Sequence, residues 1–86
     1  MPIISVFYGI IIRLNFGDHN PPHFHAEYQG FQAAFEIGTG KLLAGELPHS
    51  AKKLVQAWEK KNRSALRRNW DHAAAHQPLQ RIPGME

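Results

Sequence analysis

The stretch His23–Ile37, "HFHAEYQGFQAAFEI", decides the fold. Two segments rich in aromatic residues flank Gln29-Gly30, and glycine at the second place of a two-residue loop suits a primed hairpin turn. Pairing Tyr28 with Phe31 sets Glu27 opposite Gln32, Ala26 opposite Ala33 and His25 opposite Ala34. It also sets Phe24 opposite Phe35 and His23 opposite Glu36. Every aromatic then shares one face, while His23 and His25 share the other with Glu27, Gln32 and Glu36. A slip of one residue would mix the faces, so this register is expected.

Working outward, residues 3–16 alternate with a period of two, which reads as one long strand. Ile4, Val6, Tyr8, Ile10, Ile12, Leu14 and Phe16 fall on one side, and Gly9 reads as a bulge or bend. "DHNPP" stops this strand, because proline donates no ladder hydrogen bond. On the other side of the hairpin, "GTG" leads into a strand over 41–47. A three-residue loop with Gly40 left-handed pairs Phe35 with Leu43 and Phe31 with Leu47.

Beyond Pro48, the apolar residues Ala51, Leu54, Val55 and Trp58 recur at helical spacing. Asn62 and Ser64 look like a break, after which Leu66, Trp70, Ala73 and Ala74 resume the pattern. Two helices, 49–61 and 63–76, or one kinked helix satisfy this, with Trp58 and Trp70 in the core. Residues 77–86 read as an irregular tail. The expectation is a single α+β domain over 1–86. Its sheet is a four-stranded antiparallel meander (3–16, 23–28, 31–37, 41–47). The two C-terminal helices pack on the Phe24/Phe31/Phe35/Leu43/Leu47 face.

The 86 residues are 43% apolar and 20% charged, a globular balance. With no cysteine, disulfides, thiolate metal sites and thiol nucleophiles are excluded. No run approaches the length of a membrane span, and the apolar N-terminus lacks a basic leader region, so a cytoplasmic protein is expected. The net charge of +3 is unevenly spread. Residues 1–49 set Arg13 and Lys41 against Asp18, Glu27, Glu36 and Glu46, a balance of −2. Residues 50–76 set Lys52, Lys53, Lys60, Lys61, Arg63, Arg67 and Arg68 against Glu59 and Asp71, a balance of +5. A basic helical half suits a polyanion such as RNA, or an acidic partner protein; a solvated lysine-rich surface is the plain alternative.

Three of the six histidines, His19, His23 and His25, lie within seven residues. A strand sets His23, His25 and Glu27 in a row about 6.5–7 Å apart. His19 can fold back toward them across Pro21-Pro22. Two imidazoles at i and i+2, completed by His19 or Glu27, suit a divalent ion such as zinc, nickel or iron(II). The same imidazoles also suit metal-free acid–base chemistry on RNA, with Arg13 on the same face to meet a phosphate. The third reading is structural: His19 and His23 hydrogen-bond free backbone groups at the turn, and His25 lies in solvent or at a homodimer interface. His49, His72 and His76 are isolated and read as surface residues. No phosphate-binding glycine loop, G-x-S-x-G, H-E-x-x-H or zinc-finger spacing occurs.

Taken together, "ISVFYGIIIRLNFGDHNPPHFHAEYQGFQAAFEIGTGKLLAGELP" and "LVQAWEKKNRSALRRNW" resemble the short bacterial proteins of domain-of-unknown-function family 4160. The likeness is carried by Tyr8, Gly9, Asp18, His19, Asn20, Pro21, Pro22, His23, Phe24 and His25, with Trp58 and Trp70 in the helical part. The resemblance implies a small cognate protein encoded nearby, in a presumptive toxin–antitoxin pair, and an RNA-directed activity. For a toxin, His23 and His25 would be acid and base, assisted by His19 and Arg13. The alternatives are a metal-binding protein using His19, His23, His25 and Glu27, or an interaction module using a sheet edge or the basic helices. The helical part is richer in Lys and Arg than the resemblance leads one to expect.

Overall fold

A computed structural model describes residues 2–85. It is an α+β protein: a five-stranded antiparallel sheet followed by two helices. The strands are β1 (Ile3–Phe7), β2 (Ile10–Arg13), β3 (His23–Tyr28), β4 (Phe31–Glu36) and β5 (Leu42–Gly45), in spatial order β1-β2-β3-β4-β5. The helices are α1 (His49–Lys61) and α2 (Arg63–Ala74).

The fifth strand arises because the expected strand 3–16 is a hairpin. Tyr8 (φ 50°) and Gly9 (φ 78°) both take the left-handed conformation of a primed two-residue turn, so Phe7 lies opposite Ile10. Opposed residues share a face, and the turn therefore exchanges the inward parity. Phe7 joins Ile10, Ile12 and Leu14 in the core, while Val6, Tyr8 and Phe16 are exposed. A register shift between Ile3 and Ser5 turns Ile4 inward as well.

The β3–β4 pairing has all six expected partners, from His23 opposite Glu36 to Tyr28 opposite Phe31. The next pairing differs from expectation. Phe35 lies opposite Leu42 and Ala34 opposite Ala44, with a bulge that leaves Leu43 exposed. Phe31 is also exposed at the hairpin end, so neither it nor Leu43 belongs to the packed face. Leu47 is buried as expected, beyond the end of β5.

The helices cover Phe24 and Phe35, which stack at 5.7 Å, and Trp58 of α1 meets Phe24 edge-on and Phe7 at 5.3 Å. All four rings are fully buried. Each phenyl so removed from water contributes about 1.5–3 kcal/mol before chain entropy is counted. Asn62 separates the helices, its side-chain Nδ2 and its backbone N–H both donating to the Trp58 carbonyl. α2 ends at Ala74 rather than 76, and His76 turns to φ 55°.

Glu59, counted above with the surface charges, is completely buried. Its carboxylate accepts the Gly38 backbone N–H at 2.8 Å and pairs with Arg63 at 3.0 Å. It ties α1 to the β4–β5 turn. The last segment is irregular but packed. Ile82 is buried and donates its N–H to the Ile4 carbonyl, and Trp58 Nε1–H donates to the Pro83 carbonyl. Glu86, the end of the expected tail, lies outside the described residues. Among the described residues, no helix is long and apolar enough to cross a membrane.

Candidate functional site

The polar end of β3 meets the loop between β2 and β3. After β2, the chain from Leu14 to Asp18 is held by hydrogen bonds from Leu14 N–H to the Pro2 carbonyl and from Gly17 N–H to the Ala73 carbonyl. Past the cis Asn20–Pro21 peptide, Ile37 N–H donates to the Pro22 carbonyl, fixing the start of β3. These anchors bring Asp18 over the imidazoles that β3 presents.

Asp18 Oδ2 lies 3.0 Å from His23 Nε2 and 4.0 Å from His25 Nε2. One donor atom from each of Asp18, His23 and His25 falls within 4.8 Å of the other two. The two rings stand edge to face, 5.2 Å apart. Trp70 of α2 packs on the His23 ring at 5.4 Å, so this core tryptophan also walls the site.

The hydrogen bonds determine which nitrogens are open. His23 Nδ1 sits 2.8 Å from the Pro21 carbonyl, which only accepts, so Nδ1 carries the proton and Nε2 faces the carboxylate. Asn15 Nδ2 donates to Asp18 Oδ2 at 3.2 Å and lies 3.4 Å from His25 Nε2, toward which it can likewise only donate. Turning this amide over would press its oxygen against the carboxylate, although Asn15 Oδ1 is buried without a protein partner as it stands. His25 Nε2 therefore presents a lone pair.

Electrostatics agree with that assignment. Burial and the neighbouring His23 hold the His25 imidazole below its ordinary pKa, outweighing Asp18 and Glu27, which favour its charged form. For Asp18, burial acts to raise the pKa. The His19 backbone N–H, the Asn15 amide and the imidazoles of His23 and His19 outweigh it, so the carboxylate is ionised below its usual range.

The expected site residues divide. His23 and His25 come together; His19 and Glu27 stand outside the three-donor group. His19 Nδ1 contacts the far oxygen of Asp18 at 3.1 Å, with a side chain 91% exposed against 11% for His23. Glu27 accepts from Arg13 Nε at 3.1 Å. Arg13 does lie beside His25 across the β2–β3 ladder, as a shared face required. The residue missing from the expected ligand set is Asp18. Its signals were its place before His19 and its part in the family-like run, neither of which tells a ligand, since its approach depends on how the loop folds back. Of the isolated histidines, His76 stacks on Phe16, and His72 Nδ1 faces the Pro78 carbonyl.

A family model described as "Domain of unknown function (DUF4160)" matches residues 9–71, well over half of the chain and all of this site. The chain belongs to that family. No curated protein and no solved structure matches it.

Proposed function

We propose that this DUF4160 protein binds a divalent transition-metal ion through Asp18, His23 and His25. The observation that carries the reading is the convergence of two imidazole Nε2 atoms on one carboxylate oxygen. Ligands bound to one ion at about 2.0–2.2 Å stand roughly 3 Å apart at right angles and about 3.4 Å apart in a tetrahedron. The 3.0 Å His23–Asp18 separation matches the first spacing, and His25, 4.0 Å from the same oxygen, lies about half an ångström beyond the second, with all three donors within 4.8 Å of one another. The Pro21 carbonyl on His23 Nδ1 is the kind of outer partner that orients a metal-bound imidazole.

Two imidazoles and one carboxylate suit zinc, nickel or iron(II), and three protein ligands leave positions for water or substrate. Such an ion would act as a Lewis acid and lower the pKa of bound water, chemistry suited to hydrolysis. Titrating tag-free protein with each ion by calorimetry tests the proposal. One ion per chain is expected, and no saturable binding with any of the three refutes it.

A second reading uses the same residues without metal. His23 lies between two acceptors, the Pro21 carbonyl and the Asp18 carboxylate, which suits a protonated imidazole acting as general acid. His25, kept neutral, would be the base, with Arg13 beside it for a phosphate. This is the ribonuclease-type toxin reading, in which the His19 ring stands 6.2 Å from that of His23. RNA cleavage that persists in excess chelator selects this reading; cleavage abolished by chelator selects the metal. The cognate protein of a toxin–antitoxin-like pair rests on the family resemblance alone, and co-purification with the product of the adjacent gene tests it.

A further inference from the structure

On the helical side, α2 and the segment from Pro78 to Pro83 enclose a cavity of about 280 Å³. Its lining includes Arg68, His72 and Arg81, and no carboxylate among the described residues. Asp71, the acidic residue of α2, is directed to Arg67 instead. The walls are fixed by neutral side chains. Asn69, buried to 2% exposure, donates Nδ2–H to the Gln80 carbonyl at 2.8 Å and accepts the Gln80 N–H at 2.9 Å. His72 bonds the Pro78 carbonyl through Nδ1, which fixes the ring and leaves Nε2 uncommitted. Neither Arg68 nor Arg81 makes an ion pair among the described residues.

We infer that this cavity is a binding site for a phosphate group. Two arginines of the lining, one from α2 and one from the irregular closing segment, bring the forked donors that match phosphate oxygens. His72 lines the same cavity, and with its Nδ1–H on the Pro78 carbonyl its Nε2 can donate only when the ring is protonated. The two-way amide lock of Asn69 on Gln80 holds the walls at a set separation before any ligand arrives, which lowers the ordering cost of binding. The volume is near the lower end for small-ligand sites, enough for a phosphate with a small attached group. The phosphate can belong to a free nucleotide or to a nucleic-acid backbone. The inference does not depend on the metal reading, because none of these residues belongs to the Asp18 cluster.

The test follows arginine Nε and histidine ring nitrogens by NMR in low salt with chelator present. The probes are inorganic phosphate, adenosine 5′-monophosphate and a single-stranded RNA hexanucleotide. Saturable shifts of Arg68, His72 and Arg81 are expected. Saturation by phosphate and the mononucleotide identifies a free phosphate-bearing ligand, and saturation by the RNA alone identifies a backbone phosphate. R68Q/R81Q should weaken binding at least tenfold and, both side chains being exposed, should leave the melting curve unchanged, whereas K52A/K53A on α1 should not weaken binding. Absence of saturable shifts at these three residues with every probe, or equal loss in K52A/K53A, overturns the inference.

Discussion

Asp18 Oδ2 stands 3.0 Å from His23 Nε2, and the opposite nitrogen of that ring is held by the Pro21 carbonyl at 2.8 Å. The ring is thus fixed at both ends, by the loop it faces and by its own turn. A carboxylate and an imidazole at this separation share a proton or share a cation, and the Nε2 of His25 stands 4.0 Å from the same oxygen.

The proposed ligand set makes a direct prediction. D18N and H23A should each lower zinc affinity about tenfold or more, since even outer partners of metal ligands are worth about 10–100-fold. H19A and E27Q should change it by less than about threefold, because His19 is solvent-exposed and Glu27 is engaged with Arg13. Calorimetric titration of the four variants measures this, and a large loss in H19A would place the site elsewhere.

Without metal, stability should depend on pH in two steps. His25 has a lowered pKa in the folded chain, so its contribution is complete above the unfolded value of about 6.5. It is lost as pH falls from there through the folded value, because the unfolded state binds the proton more readily. Asp18, also lowered, adds a second loss as pH falls below about 4. Urea midpoints from pH 8 to 3 in chelator should fall through both windows, with the upper fall diminished in H25Q. A flat profile between pH 8 and 5 would contradict the His25 assignment.

The Glu59–Arg63 pair should be the most sensitive charged contact for folding. Its carboxylate is wholly buried between Arg63 and the Gly38 N–H. E59A removes the acceptor of the Gly38 N–H and empties a packed position of α1, which should lower the urea midpoint by the equivalent of about 1–3 kcal/mol. R63A should cost about 3–5 kcal/mol, since it strands the buried Glu59 carboxylate without its cation.

The closing segment should contribute stability comparable to a core strand. Ile82 is buried and joins the edge of β1 through its N–H to the Ile4 carbonyl. I82A is expected to cost about 2–4 kcal/mol in urea denaturation. A change below 0.5 kcal/mol, the usual size for surface substitutions, would show that the segment is loosely held.

Where one face is aromatic and the other polar, the fold was legible. The β3–β4 register follows from Phe24, Phe35, His23 and Glu36, because any slip would bury charge. Tyr8-Gly9 was not legible as a turn: the apolar alternation runs unbroken through it, and tyrosine seldom adopts positive φ. Leu43 was misplaced because a bulge adds one residue without any mark in composition. Glu59 looks like its lysine neighbours until the β4–β5 turn is seen to fold onto it. In the site, His23 and His25 could be read from strand periodicity. Asp18 could not, since its approach depends on contacts of Gly17 with α2 and Pro22 with Ile37.

Zinc titration of tag-free, ring-labelled protein, followed by histidine nitrogen NMR, tests the central claim most directly. Saturation at one ion per chain is expected, with the Nε2 resonances of His23 and His25 displaced together and those of His19 unmoved. Saturation that leaves His23 and His25 undisturbed, or no saturation at all, would contradict it.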